Sequence, residues 1–458
     1  MLPLYNDSGT KMKVLLLSFN CNGPEIGLGY IASQLKNKGF LPLIVDGRFS
    51  LSLKKIIEII KDNKISALGI RIYSKDVGIT KKLTEILRKN FKELIIFGGG
   101  PHPSCEPEKI FERIPELSFA VKGEGEYSIP LALNSYYNRE SLKSIPNIIW
   151  KKDSKTIINR INFIKDLSSL EFPSWELIDP RSYPVFGQGL LVKKGTVAPI
   201  VATRGCPYNC KFCTVKLIHG NTIRFREPDN IIDEIKYLYK NFNVKEFHFI
   251  DDNFTLNREF VIKVCEKINS LPFKITWAIP QGVRPDSLDR ELLQIMKKSG
   301  CWAIGMGIES ASDRILKMMN KKETVKLMQE KIKLVKETKI ISFGYFITGF
   351  PSETKEEREK TISFACSSGL DSVTFNIFKA FPGTGLNYSE EYLHFDYDSS
   401  SSKDLKNTKI KAMIKFYSNP FRLINFLKKI NILIQLSSLF ERLLSVFLGF
   451  KKNTLPGL

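Results

Sequence analysis

Short aliphatic runs alternate with amphipathic helical stretches twice along this chain, and that alternation restricts it to folds built on parallel sheets. In the first block KVLLLS, LPLIVD, ALGIRI and ELIIFGGG are rich in Val, Ile and Leu, as strands covered on both faces must be. Between them lie YIASQLKNKG, a helix ending at Gly39, and GITKKLTEILRKNF. A third helix, SLKKIIEIIKDNK, carries Leu53, Ile56, Ile57 and Ile60 on one face. Such units predict a doubly wound, Rossmann-like parallel sheet over residues 12–140, with ligands at the carboxyl ends of its strands.

From about 141 to 194 the regularity fails. PNIIWKKDSKTIINR reads as a short hairpin, and EFPSWELIDPRSYP as a proline-rich linker. Alternation resumes over 195–395, where PIVATRG, EFHFIDD, ITWAIPQGV, WAIGMGIES, ISFGYFITGF and SVTFNIF are strands with helices between them. Six βα units predict a partial (β/α)6 barrel with its working residues on the loops after the strands. Residues 396–458 begin with a flexible SSSSKD joint and continue as a helical tail in which Lys and Arg mix with Leu, Ile and Phe.

The 458 residues carry a net charge of +21, which favours an anionic partner or simply a lysine-rich solvated surface. Of 8 cysteines, Cys21, Cys105, Cys265, Cys301 and Cys366 stand singly, a pattern unlike a secreted disulfide scaffold. The opening MLPLYNDSGTKMK lacks the apolar run of a signal peptide, and no stretch is apolar for long enough to span a bilayer. A cytoplasmic protein is expected, with the tail able to touch the inner face of a membrane.

The other three cysteines, Cys206, Cys210 and Cys213, form the pattern CxxxCxxC in RGCPYNCKFC, directly after a strand. Thiolates are natural ligands of iron–sulfur clusters, and three of them leave one corner of a four-iron cube open to a small molecule. The competing reading is zinc. It needs a fourth ligand, and only the isolated His219 lies nearby.

This pattern, with Phe212 before the last cysteine, resembles the radical S-adenosylmethionine (SAM) superfamily. The resemblance implies a 4Fe–4S cluster on Cys206, Cys210 and Cys213, whose open iron chelates SAM and reductively cleaves it to a 5′-deoxyadenosyl radical. Further segments match in order over residues 195–390. FIDDNF implies that Asp251 or Asp252 meets the SAM amine, with helix capping as the alternative. Arg284 in VRPD would pair with the SAM carboxylate. GMGIES implies that Glu309 and Ser310 reach the ribose. YFITGFPSET places Ile347, Thr348 and Gly349 near the adenine, and FPGTGL resembles the end of the core.

With that half in view, PEIGLGYIASQL, Asp46, GIRIYS, GGGPHPS and VKGEGE resemble the cobalamin-binding domain that precedes many radical SAM cores. The resemblance implies cofactor contacts from Gly27, Gly29, Ser74, Gly98, Gly99, Gly100, His102, Gly123, Glu124 and Gly125. One departure stands out. The DxHxxG motif, whose histidine ligates cobalt, is here NGPEIG, with Asn22 and Pro24 at the Asp and His positions. Proline has no donor, so bound cobalamin is expected base-off without a histidine ligand. His102 is read as a contact to the corrin edge or as a plain loop residue.

The family pattern thus implies a cobalamin-dependent methyltransferase. One SAM methylates cobalamin, a second yields the radical that takes hydrogen from an unactivated carbon, and methylcobalamin quenches the substrate radical. The substrate is expected to be a small molecule or lipid, anionic in keeping with the charge, and the electron donor a flavodoxin or ferredoxin. An oxidative cyclase or rearranging enzyme of the same architecture is the first alternative, and a non-catalytic iron–sulfur or cobalamin sensor the second. Methylthiolation of tRNA, and nucleic-acid binding generally, fit less well, because Cys21 and Cys105 stand alone and the tail is helical rather than a small barrel.

Overall fold

The computed structural model describes residues 12–19, 23–47, 51–183, 192–386 and 403–429. Two sheets organise them. The first has seven strands: β1 (Lys13–Leu17), β2 (Leu41–Val45), β3 (Ala67–Arg71), β4 (Ile95–Gly99), β5 (Phe119–Val121), β6 (Ile148–Lys152) and β7 (Lys155–Ile158), in the order β2-β1-β3-β4-β5-β6-β7. The five strands β1 to β5 pair in parallel, and β6 and β7 add antiparallel. The hairpin therefore extends the first sheet through β5. It turns on Asp153 and Ser154, both at positive φ (49° and 63°), the backbone a two-residue hairpin requires.

Alternate residues of β1 serve different cores. Val14 and Leu16 join one apolar cluster and Leu15 and Leu17 another, one on each face of the sheet. The first cluster does not end at the sheet. Through Leu28, Trp175 and Ile178 it runs on to Ile200, Ile231 and Phe247 of the second half.

The second sheet comprises β8 (Val197–Ile200), then, after the short pair β9 (Thr203–Arg204) and β10 (Arg224–Phe225), β11 (Glu246–Phe249), β12 (Thr276–Val283), β13 (Cys301–Glu309), β14 (Ile341–Thr348) and β15 (Ser372–Ile377). Its six strands pair in parallel in the order β15-β14-β13-β12-β11-β8, an open barrel wall with helices outside. The chain is thus α/β, with a parallel Rossmann-like sheet, a six-stranded parallel barrel segment and helices Lys403–Tyr417 and Pro420–Lys429 behind them. The first of these helices packs on β15, with Phe416 and Ala412 buried. The remainder of the basic tail, the four serines of the SSSSKD joint, Cys21 and Asn22 lie outside the described residues. No helix among the described residues is long and apolar enough to cross a membrane.

The helix after β1 starts at Ile26, earlier than its glycines suggest, so Gly27 and Gly29 lie in its first turns rather than in a loop. A Cβ on Gly29 would come within 2.6 Å of Ile178 and 2.9 Å of Pro173, so this glycine lets the linker pack on the helix. Gly27 is exposed. Neither is held in a strained loop as a phosphate-cradling glycine would be. Asp46, at the end of β2, accepts a 2.6 Å hydrogen bond from Tyr183, which ties the linker to the first sheet.

Candidate active site

The cysteine loop leaves β9 at Gly205 (φ +91°), where a Cβ would lie 2.4 Å from the Thr222 carbonyl oxygen, so only glycine fits. It returns through Gly220, whose carbonyl accepts from Cys206 N–H at 3.3 Å, and closes as β10 pairs antiparallel with β9. Within it, Cys213 N–H donates to the Cys210 carbonyl at 3.1 Å, a turn that brings two thiols together. Lys211 N–H donates to the Met319 carbonyl at 2.9 Å, and Asn320 donates to the Asn209 carbonyl at 2.8 Å, fastening the loop to the segment after β13.

Asp251 and Asp252 hold this loop from below. Asp251, 1% exposed, accepts at Oδ1 from the N–H groups of Ala202 (2.9 Å) and Thr203. Burial pushes its carboxyl up to about 7. Asp252 Oδ2 accepts from Gly205 N–H at 2.8 Å and meets His219 Nδ1 at 2.7 Å. Burial acts to raise Asp252, but the His219 charge and hydrogen bond outweigh it and hold the carboxyl below its usual range. Each carboxylate is thus committed through one oxygen to backbone or histidine, which leaves Asp251 Oδ2, buried without a hydrogen-bond partner, and the second oxygen of the part-exposed Asp252 for the expected contact with a SAM amine. His219 turns to Asp252 rather than to the thiols.

The three thiols are half-buried and unpaired. Burial raises all three, Cys213 to about 12, and for Cys210 and Cys213 the neighbouring thiols of the trio add to the rise. Thiols so placed bind as thiolates only where positive charge arrives with the ligand, as an iron–sulfur core brings it. Among the described residues no three His, Cys, Asp or Glu converge on a single-ion centre. Thiols standing on the corners of a polynuclear core are necessarily farther apart than donors around one ion. Three thiolates with no oxygen donor among them are the set an iron–sulfur core takes, and in this donor chemistry the trio fits a cluster. Asn253 Nδ2 lies 4.0 Å from Cys206 Sγ, a weak donor to sulfur, and its Oδ1 is buried without a partner. Sequence reasoning missed Asn253, though it adjoins the acidic pair.

Above the thiols the ends of β12 and β13 supply a charged group. Glu309 sits at the end of β13 at φ +65°, uncommon for a residue with a side chain and the kind of strain that collects at functional sites. Its carboxylate lies 3.6 Å from Lys321 Nζ, which is 3.4 Å from Glu323. Burial opposes the Lys321 charge, but Glu309 and Glu323 overcome it and raise the ammonium. Arg284 stacks 3.7 Å from the Tyr208 ring centroid, pairs with Asp286 at 2.7 Å and Glu323 at 3.7 Å, and donates to the Lys321 carbonyl at 2.8 Å. Its fork is filled by the protein, so the expected carboxylate partner is replaced by internal ones. Lys321 and Glu323, three and five residues after the helix Asp313–Met318, went unnoticed there because nothing local marks them.

Ser310 departs from expectation. It is fully buried and points inward, 3.4 Å from Thr361 Oγ1 and accepting from Ser312 N–H at 3.2 Å, so it shapes the turn after β13 rather than reaching a ribose. Ile347 does face the site: with Phe212 it packs against the cluster of Ile315, Met319 and Phe350. Phe212 is thus the wedge that seats the cysteine loop on the β14 turn. Thr348 is buried with its hydroxyl lacking a partner. Gly349 (φ +81°) donates from N–H to Glu353 at 2.5 Å, and burial pushes Glu353 up to about 7.

At the carboxyl ends of the first sheet, Ser74 and His102 meet each other, Oγ to Nδ1 at 3.2 Å, both buried. Burial lowers His102 to about 4, a neutral imidazole. The pair supports the loop after β4, and neither side chain projects from it. A Cβ on Gly98 would meet Ile72 at 2.7 Å and one on Gly125 would meet Ile129 at 2.7 Å, so both serve close packing. A Cβ on Gly99 would meet only Val121, at 4.0 Å, and one on Gly100 (φ +95°) would crowd Arg71 and the Ile72 backbone, so the two glycines keep this edge free of side chains of their own. Gly123 (φ +76°) lies 3.4 Å, by its Cβ position, from the Ile218 carbonyl of the cysteine loop. Glu124 reaches no open space: it pairs with Arg224 at 2.8 Å and Arg204 at 3.3 Å. Both arginines, on β10 and β9, escaped sequence reasoning, since their partner lies some eighty residues or more away in the chain.

Residues 200–365 match the family model of the radical SAM superfamily, and residues 12–133 that of the B12 binding domain. Over 80% of its length the chain is 30% identical to an uncharacterised methyltransferase of Pyrococcus horikoshii, covering 78% of that protein. It is 26% identical to the cytidylyl-2-hydroxyethylphosphonate methyltransferase of Streptomyces wedmorensis (80% of this chain, 77% of that one). It is equally 26% identical to the anaerobic magnesium-protoporphyrin IX monomethyl ester cyclase of Cereibacter sphaeroides (79% and 60%). Among solved structures, the radical SAM methyltransferase TsrM of Kitasatospora setae, with cobalamin and a [4Fe–4S] cluster bound, superposes with a TM-score of 0.67 at 16% identity, covering 82% of this chain and 76% of that one.

Proposed function

The chain belongs to the radical SAM superfamily, in the branch with a B12-binding domain ahead of the barrel, and on that premise we propose that it methylates an unactivated carbon of a small molecule or lipid. It is an enzyme whose cofactors are a [4Fe–4S] cluster, SAM and cobalamin, which sets the sensor alternative aside. When bound, the cluster supplies the electron that opens the SAM sulfonium, and cobalamin supplies the methyl carrier. Cys206, Cys210 and Cys213 would hold the cluster through their thiolates, with SAM as its non-protein ligand. Asp251, Asp252 and Asn253 keep the loop in shape beneath them. Glu309 takes the ribose hydroxyls, and Ile347 with the Thr348–Gly349 turn offers an apolar face to the adenine. Arg284 acts by holding Tyr208 and Lys321 in place. Gly99 and Gly100 let the corrin approach. Pro24 has no donor and His102 is turned inward, so neither would hold the cobalt from below.

The observation that carries this reading is the seat of the cysteine loop. Its short helix Val215–Ile218 packs on Pro101–Cys105, the segment that follows Gly98–Gly100, which supports a thiol site seated against the glycine edge of the first sheet. Protein purified without oxygen in the presence of hydroxocobalamin is expected to carry iron, cobalt and corrin, and to release 5′-deoxyadenosine from SAM on reduction. Cys210→Ala is expected to lose the absorbance near roughly 400 nm of thiolate-bound iron. Zinc at those thiols, or an unaltered spectrum, would refute the assignment.

The cyclase relative favours one second reading, ring closure on the same architecture. Methyl-deuterated SAM separates them: label in the product supports methylation, and unlabelled cyclised product the alternative. The net charge of +21 suits an acidic electron donor such as flavodoxin or ferredoxin. The tail helices expose Ile410, Ile414, Phe421 and Ile424 among lysines, which suits contact with an acidic membrane and an apolar substrate.

A further inference from the structure

We infer that Glu124 is a positioning residue that fixes the separation between cluster and corrin by gripping both stems of the cysteine loop. The inference rests on both cofactors binding as proposed above. β9 and β10 are the two ends of that loop, and their register sets Arg204 directly opposite Arg224. Glu124 lies on the other half of the molecule, just after β5. Its Oε1 is 3.3 Å from Arg204 and its Oε2 2.8 Å from Arg224, so one carboxylate closes the base of the loop. All three side chains are buried or nearly so, where charge pairs are little screened by salt.

Hydrogen bonds orient the grip on its Oε2 side, while Oε1 meets Arg204 as an ion pair without a hydrogen bond. Oε2 of Glu124 also accepts from Ile164 N–H at 2.7 Å, and its carbonyl accepts from Asn147 Nδ2 at 2.6 Å. Arg224 donates to the carbonyls of Ile164 (2.6 Å) and His219 (2.7 Å) and lies 5.3 Å from the Phe163 ring centroid. Arg204 has a second partner in Glu126 at 2.7 Å and the Tyr30 ring at 5.2 Å. Among the described residues, Glu124 is the carboxylate that pairs with both Arg204 and Arg224. The adjoining glycines make the approach close: a Cβ on Gly220 would come within 2.9 Å of Phe163. The cysteines are thus tied to the loop after β5 within a few residues of Gly123, and the corrin platform after β4 is one strand away. The Asn147 side chain holds the Glu124 carbonyl independently of the carboxylate, so loss of the Glu124 charge breaks the link between the two stems while Arg204 keeps Glu126 and Arg224 keeps its carbonyl partners.

The test uses holoenzyme carrying both cluster and cobalamin, half-reduced so that both metals are paramagnetic. The readout is the relaxation enhancement that the cluster imposes on the cob(II)alamin resonance. In Glu124→Gln, iron and cobalt contents are expected to equal wild type, while the enhancement falls by about twofold, as a displacement of the order of an ångström produces. Arg224→Lys, which keeps charge but loses the fork, is expected to fall between, and it decides the matter should Glu124→Gln not fold. Unchanged enhancement in both variants would overturn the inference, and so would joint loss of iron and cobalt, which marks a purely structural role. Wild-type protein that takes up no cobalt would overturn the proposed function itself, a result visible before any variant is made.

Discussion

Asp251 and Glu353 are carboxyls that burial turns toward their neutral form, and they respond differently to substitution. Asp251 is needed as an acceptor for two buried N–H groups, not as a charge. Asp251→Asn is expected to keep stability and iron content. Asp251→Ala strands both donors and is expected to cost about 2 kcal/mol or more in chemical denaturation, with loss of iron. Equal behaviour of the two variants would contradict this. Glu353 is held up to about 7 against an ordinary 4.5. Its contribution to stability is complete below the lower value and is lost as pH rises through the higher one. Glu353→Gln keeps an acceptor for Gly349 N–H, so its melting temperature is expected to match wild type near the lower value and exceed it at about pH 8. A gap independent of pH would refute it. At this scale the sequence was informative where residue type and spacing coincide, as in CxxxCxxC. It is silent on where a side chain of the right type turns, as with Ser310 toward Thr361, Asp252 toward His219 and Glu124 toward two arginines, because facing depends on partners distant in the chain.

The elements were easier to read, since each strand's aliphatic run and each helix's period are local properties. All six barrel strands stand where their runs place them. The helix after β1 starts early because Ile26 packs inward and Gly29 is required by the linker, a contact across about 150 residues that no window of sequence contains. The cysteine loop is the element most exposed to a single change. Gly205→Ala adds a Cβ against the Thr222 carbonyl at a φ that disfavours it, and is expected to cost about 1–3 kcal/mol and most of the bound iron. Full iron occupancy would show the loop to be more pliant than its geometry. The tail helices expose Phe421 and Ile414 beside Lys411 and Lys415. Binding to vesicles containing phosphatidylserine is expected, weakened by salt and by Phe421→Ser with Ile414→Ser. Equal binding by the double variant would remove the membrane contact from the account.

At the level of the whole molecule, two alternating blocks foretold two parallel sheets, but not that one apolar core joins them through Trp175 and Ile178. Trp175 donates from its indole to Glu234 at 3.0 Å, and Glu234 pairs with Arg226 at 2.6 Å, so the linker is bolted to the barrel. Cofactor-free protein is therefore expected to melt in one cooperative calorimetric transition; two resolved transitions would show the halves to be independent. The shared core also bears on biosynthesis. The amino-terminal half leaves the ribosome with an oily flank whose cover is still untranslated, and at about 10 residues per second the strands that shield it follow some tens of seconds later. A nascent chain of this design needs a chaperone's shelter during that interval, and truncations ending in the linker should be the ones that aggregate.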